Sequence, residues 1–353
     1  MLTENITHSF VTISGLFSFI IFLLLSNYSN RYKFFLDKDF KKPQAFHNVS
    51  TPRVGGLASI ISFLVVSITF YYIFETKILE YIIISTLLFI LGFIDDIKIL
   101  IKPSLRLIIM TSIMLFSLIY FNIEIPDTGF WFLNRWLDNS VFNYCFLLLC
   151  FLFIINGSNL IDGFNGLLAI HLILINLIIF IFNYMYNDLN FSLFIICQLI
   201  ILFCFLLFNF PSAKIFMGDG GAYFFGGVTA LNCIYTTKNI PNISPLFFTI
   251  LLFYLFFEVF FSFVRKLKEK KSPIKPDNEH LHMLFFNFLN KNKKFKNTNA
   301  ITGITINSVY LTLIVPAFLY NDNTLFCRYW FLFLILIYLI FYYFLKKNYK
   351  QKL

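Results

Sequence analysis

Residues 78–96 read ILEYIIISTLLFILGFIDD, an apolar run that ends on two adjacent carboxylates, Asp95 and Asp96. Ionised acids near hydrocarbon cost roughly 2.5–3.5 kcal/mol each at a helix centre. Two of them closing such a run belong at a membrane surface. There they suggest a bound divalent cation, because hard cations take oxygen ligands. Neighbours on a helix point about 100° apart. One acid is therefore expected to face the metal while the other serves another role. A plain solvated helix end is the competing reading.

The rest of the chain supports a membrane setting. Of 353 residues 59% are hydrophobic and 13% charged, and Phe occurs 51 times. Soluble domains carry about 25% charged residues. Eleven apolar runs are long enough to span or nearly so: 9–27, 54–74, 78–94, 105–121, 141–156, 167–184, 191–209, 222–236, 243–263, 301–320 and 328–345. The run 222–236 is short and carries paired glycines. All are read as helices, since the runs lack the alternation of a barrel. The expected fold is an all-α polytopic membrane protein of about eleven spans, one domain over 1–353, with one long basic loop at 264–300.

Residues 1–8 hold no Lys or Arg, while Arg31 and Lys33 follow the first run. That asymmetry reads as an uncleaved first span with the N-terminus outside and the C-terminus cytoplasmic. With that orientation 24 of 28 basic residues face the cytoplasm; Lys77, Arg135, Lys238 and Arg328 do not. The net charge of +10 belongs to that face, where anionic headgroups or substrate phosphates would meet it. No nucleic-acid-binding module is present. Cys145, Cys150, Cys197, Cys204, Cys233 and Cys327 form no CxxC pair and read as small core residues.

Four further polar phrases interrupt the apolar runs, each on the expected cytoplasmic side. Residues 50–56, STPRVGG, place Arg53 where it could hold a phosphate; alternatively Thr51 caps a helix with Pro52 at its first position. Residues 156–166, NGSNLIDGFNG, repeat Asn156, Asn159, Asp162 and Asn165 every third position, roughly one side of a tight helical turn. Residues 214–221, KIFMGDGG, set a lone acid, Asp219, among glycines, a pattern that suits a cation or phosphate. Residues 272–282, SPIKPDNEHLH, gather two acids with His280 and His282, which share a face in extended backbone and suit donation or proton transfer near phosphates. His8, His47 and His171 are read as non-catalytic, His171 as a packed helix residue.

Together TPRVGG, GFIDD, NGSNLIDGFNGL, FMGDGG and SPIKPDNEHLH, from Thr51 to His282, resemble the polyprenyl-phosphate N-acetylhexosamine-1-phosphate transferase superfamily, glycosyltransferase family 4. The last phrase resembles the branch that makes undecaprenyl-diphospho-N-acetylglucosamine and lacks the triple histidine of the peptidoglycan branch. The resemblance implies a bacterial cytoplasmic-membrane enzyme in which undecaprenyl phosphate attacks the sugar-bound phosphate of a UDP-N-acetylhexosamine and releases UMP. Mg²⁺ is the implied cofactor, with Mn²⁺ as a substitute, and a second copy of the chain is a further candidate partner. It implies metal or catalytic roles for Asp95 and Asp96, metal binding by Asp219, active-centre roles for Asn159 and Asp162, a uracil contact at Asn165, and donor contacts at His280, His282 and Arg265. Three departures bear on sugar choice: Ala222 stands where the family often has Ser, Glu258 where it often has Asp, and 286–299 is rich in Lys, Asn and Phe. A transporter with an acidic coupling site is the rival class, but its acids would lie near the midplane of repeated halves.

Overall fold

The computed structural model describes residues 2–37, 50–97, 99, 101–273, 275–291 and 297–350. His47 and Lys98 lie outside them. Fourteen helices follow in order, α1 (Leu2–Tyr32), α2 (Gly55–Phe74), α3 (Leu79–Asp96), α4 (Pro103–Tyr120), α5 (Trp131–Leu137), α6 (Ser140–Ile161), α7 (Leu167–Met185), α8 (Leu189–Asn209), α9 (Gly218–Asn239), α10 (Pro245–Leu251), α11 (Phe253–Lys268), α12 (Leu281–Asn290), α13 (Thr298–Leu319) and α14 (Thr324–Lys350). Two short strands, β1 (Leu36–Asp37) and β2 (Thr51–Pro52), pair antiparallel. The protein is a polytopic α-helical membrane protein.

Each of the eleven expected spans falls on a helix. Eight of the described helices are long and apolar enough to cross a membrane, or nine if a bent pair is one span. The expected straight span at 243–263 is that pair: α10 and α11 meet at 72°. The break sits at Leu252 (φ −92°, ψ 4°), whose amide turns back to Phe248 and Ile250. The half-helix α11 is then pressed backbone to backbone on α6, where Gly157 leaves no room for a side chain against Leu255. The helices α3 and α9 fall short of that apolarity. α3 carries Glu80, Asp95 and Asp96. α9 carries Gly, Ala, Thr and Asn, and it is buried almost all round.

That burial explains the weak apolar signal of α9. It packs against α2, α3, α6, α7 and α10, so its neighbours are protein rather than lipid, and small residues let backbones approach. Polar side chains lock the register. Asn176 Nδ2 donates to Thr229 Oγ1 at 3.0 Å and Asn183 Nδ2 to Thr236 Oγ1 at 2.8 Å, while Asn232 Nδ2 reaches Gln198 Oε1 at 2.6 Å. His171 is a packed helix residue, its Nδ1 2.9 Å from Asn307 Oδ1. Four cysteines are buried, but Cys145 is exposed and Cys150 half-buried.

The phrase at 50–56 does not start a helix with Thr51 as its cap. Thr51 and Pro52 form β2, and α2 begins at Gly55 after Val54 with no side-chain cap. The backbone there is satisfied by another segment instead: Phe216 N donates to Pro52 O, Gly55 N to Phe216 O and Gly56 N to Met217 O, at 2.8–2.9 Å. Tertiary pairing outcompetes the local cap.

Candidate active site

Asp219 sits in the first turn of α9. Gly218 precedes it at φ +76°, a left-handed conformation that glycine adopts without strain. A side chain there would also collide with the Asp96 carboxylate. The carboxylate of Asp96 reaches across from the end of α3. Its Oδ1 accepts the Asp219 amide at 3.0 Å and its Oδ2 the Gly220 amide at 2.9 Å. These are two of the amides that a helix N-terminus leaves open. Asp96 thus caps a helix other than its own.

Asp95 leaves α3 in a different direction. Its Oδ2 accepts from Arg106 Nη1 at 2.7 Å, and the same nitrogen is 3.0 Å from Asp219 Oδ2. Arg53 completes the cluster. It holds Asp37 Oδ2 through Nε and Nη2 at 3.1 and 2.7 Å, and Nη1 lies 3.3 Å from Asp96 Oδ1 and 3.8 Å from Asp219 Oδ1. Asp162, just past the end of α6, lies near the Gly218 backbone and feels the charges of Arg53, Asp219 and Asp96. Five acids and two guanidinium groups from six separate segments therefore converge at one end of the bundle.

Charge and burial set the ionisation. Burial lifts the Asp96 carboxyl to about 7, with Asp219 adding to the rise and Arg53 opposing it. Burial likewise lifts Asp162 well above the carboxylate range, against the pull of Arg53. Burial works against the Arg53 cation, but Asp219, Asp37 and Asp96 outweigh it and hold its pKa above the ordinary value. Arg53, Arg106, Asp95 and Asp219 keep 17–26% of their side-chain surface exposed, against 2% for Asp96. The first four are open to a ligand, while the Asp96 carboxylate is occupied by the α9 amides and Arg53.

The four residues at 156, 159, 162 and 165 do not line one face. α6 continues as a true α-helix only to Ile161, so Asn156 and Asn159 stand about 60° apart on it while Asp162 and Asn165 lie beyond its end. Asn156 Nδ2 turns back to Leu152 O and to Met110 Sδ. Asn159 Nδ2 points to Tyr223 OH at 3.4 Å, beside the ring over which Arg106 lies. Asn165 lies beyond the helix, its amide on Asn299 Oδ1 and its Nδ2 on Pro211 O. Of the four, Asn159 and Asp162 approach the acid cluster.

The fifth phrase is exposed or half-buried over most of its described length and buried at its end, His280–His282. His280 Nδ1 faces Glu258 Oε2 at 3.1 Å and its Nε2 faces Asp277 Oδ1 at 3.3 Å. His282 is fully buried under Phe164, with Nδ1 3.2 Å from Tyr254 OH. Burial pushes it down to about 4, so it is neutral near pH 7. The two imidazoles are parallel, 5.7 Å apart. Arg265 is also buried, gripping Asp277 at 2.7 Å and Glu279 at 3.2 Å. Phe164 links this loop to the turn that carries Asp162.

Sequence reasoning gave no role to Arg106, Asp37, Tyr223 or Lys346. Arg106 lies 113 residues from Asp219 in the sequence, and only helix packing puts it between the two acids. Among the described residues no three His, Cys, Asp or Glu side chains gather as a metal-holding group. Asp95 and Asp219, however, converge on a single cationic nitrogen. That donor pair suits a hard divalent ion that takes one or two carboxylates and completes its shell with water and substrate oxygens.

The sequence model of glycosyl transferase family 4 matches residues 78–237, the stretch that holds Asp95, Asp96, Asp162 and Asp219. A phospho-N-acetylmuramoyl-pentapeptide-transferase of Dictyoglomus thermophilum is 31% identical over 225 residues, 61% of this chain and 70% of that protein. The chain belongs to glycosyl transferase family 4. Two other relatives are named for a different sugar. An undecaprenyl-phosphate alpha-N-acetylglucosaminyl 1-phosphate transferase of Thermotoga maritima is 26% identical over 271 residues, 77% of this chain and 79% of its own. A probable undecaprenyl-phosphate N-acetylglucosaminyl 1-phosphate transferase of Bacillus subtilis is 27% identical over 241 residues, 67% and 66%. Arg53 and the His280 loop lie outside the matched stretch, yet the fold joins both to it. For this glycosyl transferase the acid cluster at the start of α9 is the candidate active site.

Proposed function

We propose that this family 4 transferase moves an N-acetylhexosamine 1-phosphate, GlcNAc-1-phosphate foremost, from a UDP-sugar to undecaprenyl phosphate. An oxygen of the lipid phosphate bonds to the sugar-bound phosphorus. The bond from that phosphorus to the bridging oxygen breaks, and UMP leaves with the oxygen. The observation that carries the reading is the convergence of Asp95 and Asp219 on Arg106, with Arg53 beside them. Two anionic phosphates must meet, so cations have to offset their repulsion. Mg²⁺, with Mn²⁺ as a substitute, would be held by Asp95 and Asp219 in the place Arg106 spans, and would neutralise charge on the transferring phosphate. Asp96 keeps Asp219 in position through the α9 amides, and Arg53 holds Asp96 and Asp37 while reaching Asp219.

The names of the Thermotoga and Bacillus relatives support the N-acetylglucosaminyl reading. The Dictyoglomus name supports the same reaction class with another sugar. None of these names supports pairing with a second copy. The excess of basic residues supports an active-site end on the cytoplasmic side of a bacterial inner membrane, where nucleotide sugars are made, and the reading of eleven spans with the N-terminus outside goes with it. The test is UMP release by purified protein given undecaprenyl phosphate, Mg²⁺, and either UDP-N-acetylhexosamines or UDP-MurNAc-pentapeptide. Solute uptake by vesicles without nucleotide turnover would overturn the reaction; preference for the pentapeptide donor would overturn the sugar.

A further inference from the structure

The last helix, α14, lies beyond the family match and carries none of the five polar phrases. It nevertheless holds Glu258 and Glu269 before the fifth phrase and Glu279 within it. Tyr338, Tyr342 and Lys346 recur every fourth residue, which puts them on one face of the helix. Tyr338 donates its hydroxyl to Glu258 Oε1 at 2.9 Å. The same carboxylate accepts the Leu281 amide at 3.0 Å and faces His280. Two turns further on, Lys346 Nζ bridges Glu269 at 3.0 Å and Glu279 at 2.5 Å. Glu269 follows α11 and Glu279 precedes α12, so one ammonium ties the two sides of the loop. Tyr342 fills the space between, buried, with its ring edge-on to Phe261 at 4.6 Å.

We infer that α14 is a brace for the loop between α11 and α12, and that Tyr338 and Lys346 are positioning residues that set the donor-side geometry of Glu258, Arg265, Glu279 and His280. The inference rests on the proposed function together with the donor contacts that the family resemblance implies for His280, His282 and Arg265. The physical argument is a contest for carboxylates. Arg265 and Lys346 share Glu279, and Lys346 and Lys271 share Glu269. Without Lys346, Glu279 depends on Arg265 alone and Glu269 on an exposed lysine and the rim of Arg265. The loop then loses its charged tie to α14 and keeps only the Tyr338 hydroxyl and the apolar packing of α12. Without the Tyr338 hydroxyl, Glu258 loses one of the groups that hold it facing His280 and the start of α12.

The test uses the full-length protein in detergent with UDP-GlcNAc and undecaprenyl phosphate. Lys346→Met is expected to raise the donor KM about tenfold, with kcat and the acceptor KM near wild type. Lys346→Arg, which can still bridge two carboxylates, should recover most of that loss. Hydrogen exchange supplies a second readout independent of turnover. Amides of 276–285 should exchange faster in Lys346→Met and Tyr338→Phe, while those at the start of α9 stay protected. A wild-type donor KM and unchanged loop exchange in Lys346→Met would overturn the brace. So would an equal fall in every kinetic constant that arginine does not rescue, which marks general destabilisation. If the wild type releases UMP from no UDP-sugar, the proposed function fails, and loop exchange alone decides whether α14 braces the loop.

Discussion

Adding one methyl group at Gly92 tests how closely the acid cluster depends on helix packing. Gly92 lies in α3 against the first turn of α9. A Cβ there would sit 2.5 Å from the carbonyl carbon and oxygen of Asp219 and from the Gly220 nitrogen. Carbon contacts are comfortable from about 3.5 Å, so Gly92→Ala must drive the two helices apart by about 1 Å. The obstacle is backbone, which cannot rotate away as a side chain would. The hydrogen bonds from the Asp219 and Gly220 amides to Asp96, now 3.0 and 2.9 Å, would stretch toward 4 Å, past useful range. A displacement of about 1 Å at a reacting centre can lower a rate by about 10²-fold, or about 2.7 kcal/mol. Overpacking itself costs about 1–3 kcal/mol of stability. The assay is the initial rate of UMP release at saturating donor and acceptor, with thermal unfolding in the same detergent. Gly15→Ala is the control, because a Cβ there meets only Ile200 Cγ2 at 3.5 Å; its rate should stay within about twofold of wild type. A folded Gly92→Ala protein that keeps wild-type kcat would refute the dependence of Asp219 on this packing.

Asp219→Asn keeps the shape of the side chain and removes its charge; it should nearly abolish turnover while leaving the thermal transition near wild type, and normal Mg²⁺-dependent activity would remove Asp219 from the metal site. Arg106→Met should lower the Mg²⁺ concentration for half-maximal rate by roughly tenfold, because a competing guanidinium no longer bridges Asp95 and Asp219; an unchanged requirement would show that cation and guanidinium do not compete. Chelation with EDTA should stop UMP release and Mg²⁺ should restore it, with full activity in EDTA as the contrary outcome. Single cysteines at 214 and 275 in a cysteine-free background should label only from the inside and one at 127 from the outside; 214 and 275 labelling from opposite faces would break the shared site.

Much of the fold was legible because lipid leaves the backbone one economical solution. Each apolar run of 78–94 or 328–345 type had to be a helix, and each became one. The weak run at 222–236 was the instructive case. Its glycines and polar residues looked marginal for a lipid-facing span, and α9 turned out to face protein on nearly every side. The run 243–263 is helical and apolar as expected, but the 72° bend within it was not legible, because composition reports apolarity and not direction and nothing in PLFFTILLFYLFF marks it. The three-residue spacing of Asn156 to Asn165 misled for a related reason. Spacing predicts a common face only when the local helix type is known, and α6 stays α-helical through Asn159.

The sequence by itself determined that this is a helical membrane protein with its acids, basic residues and histidines gathered at the ends of apolar runs. Residue type and hydropathy are local properties, and lipid penalises each misplaced charge separately. The tertiary structure alone decided how those groups divide the work. Asp95 and Asp96 are neighbours in the chain, yet one meets Arg106 while the other caps α9, because adjacent helical residues diverge and the two sides meet different partners. Arg106 stands between Asp95 and Asp219, and Lys346 ties Glu269 to Glu279, through contacts up to 113 residues apart in the chain. Such contacts depend on where helices pack, which is set by the summed fit of many side chains and not by any one phrase of sequence.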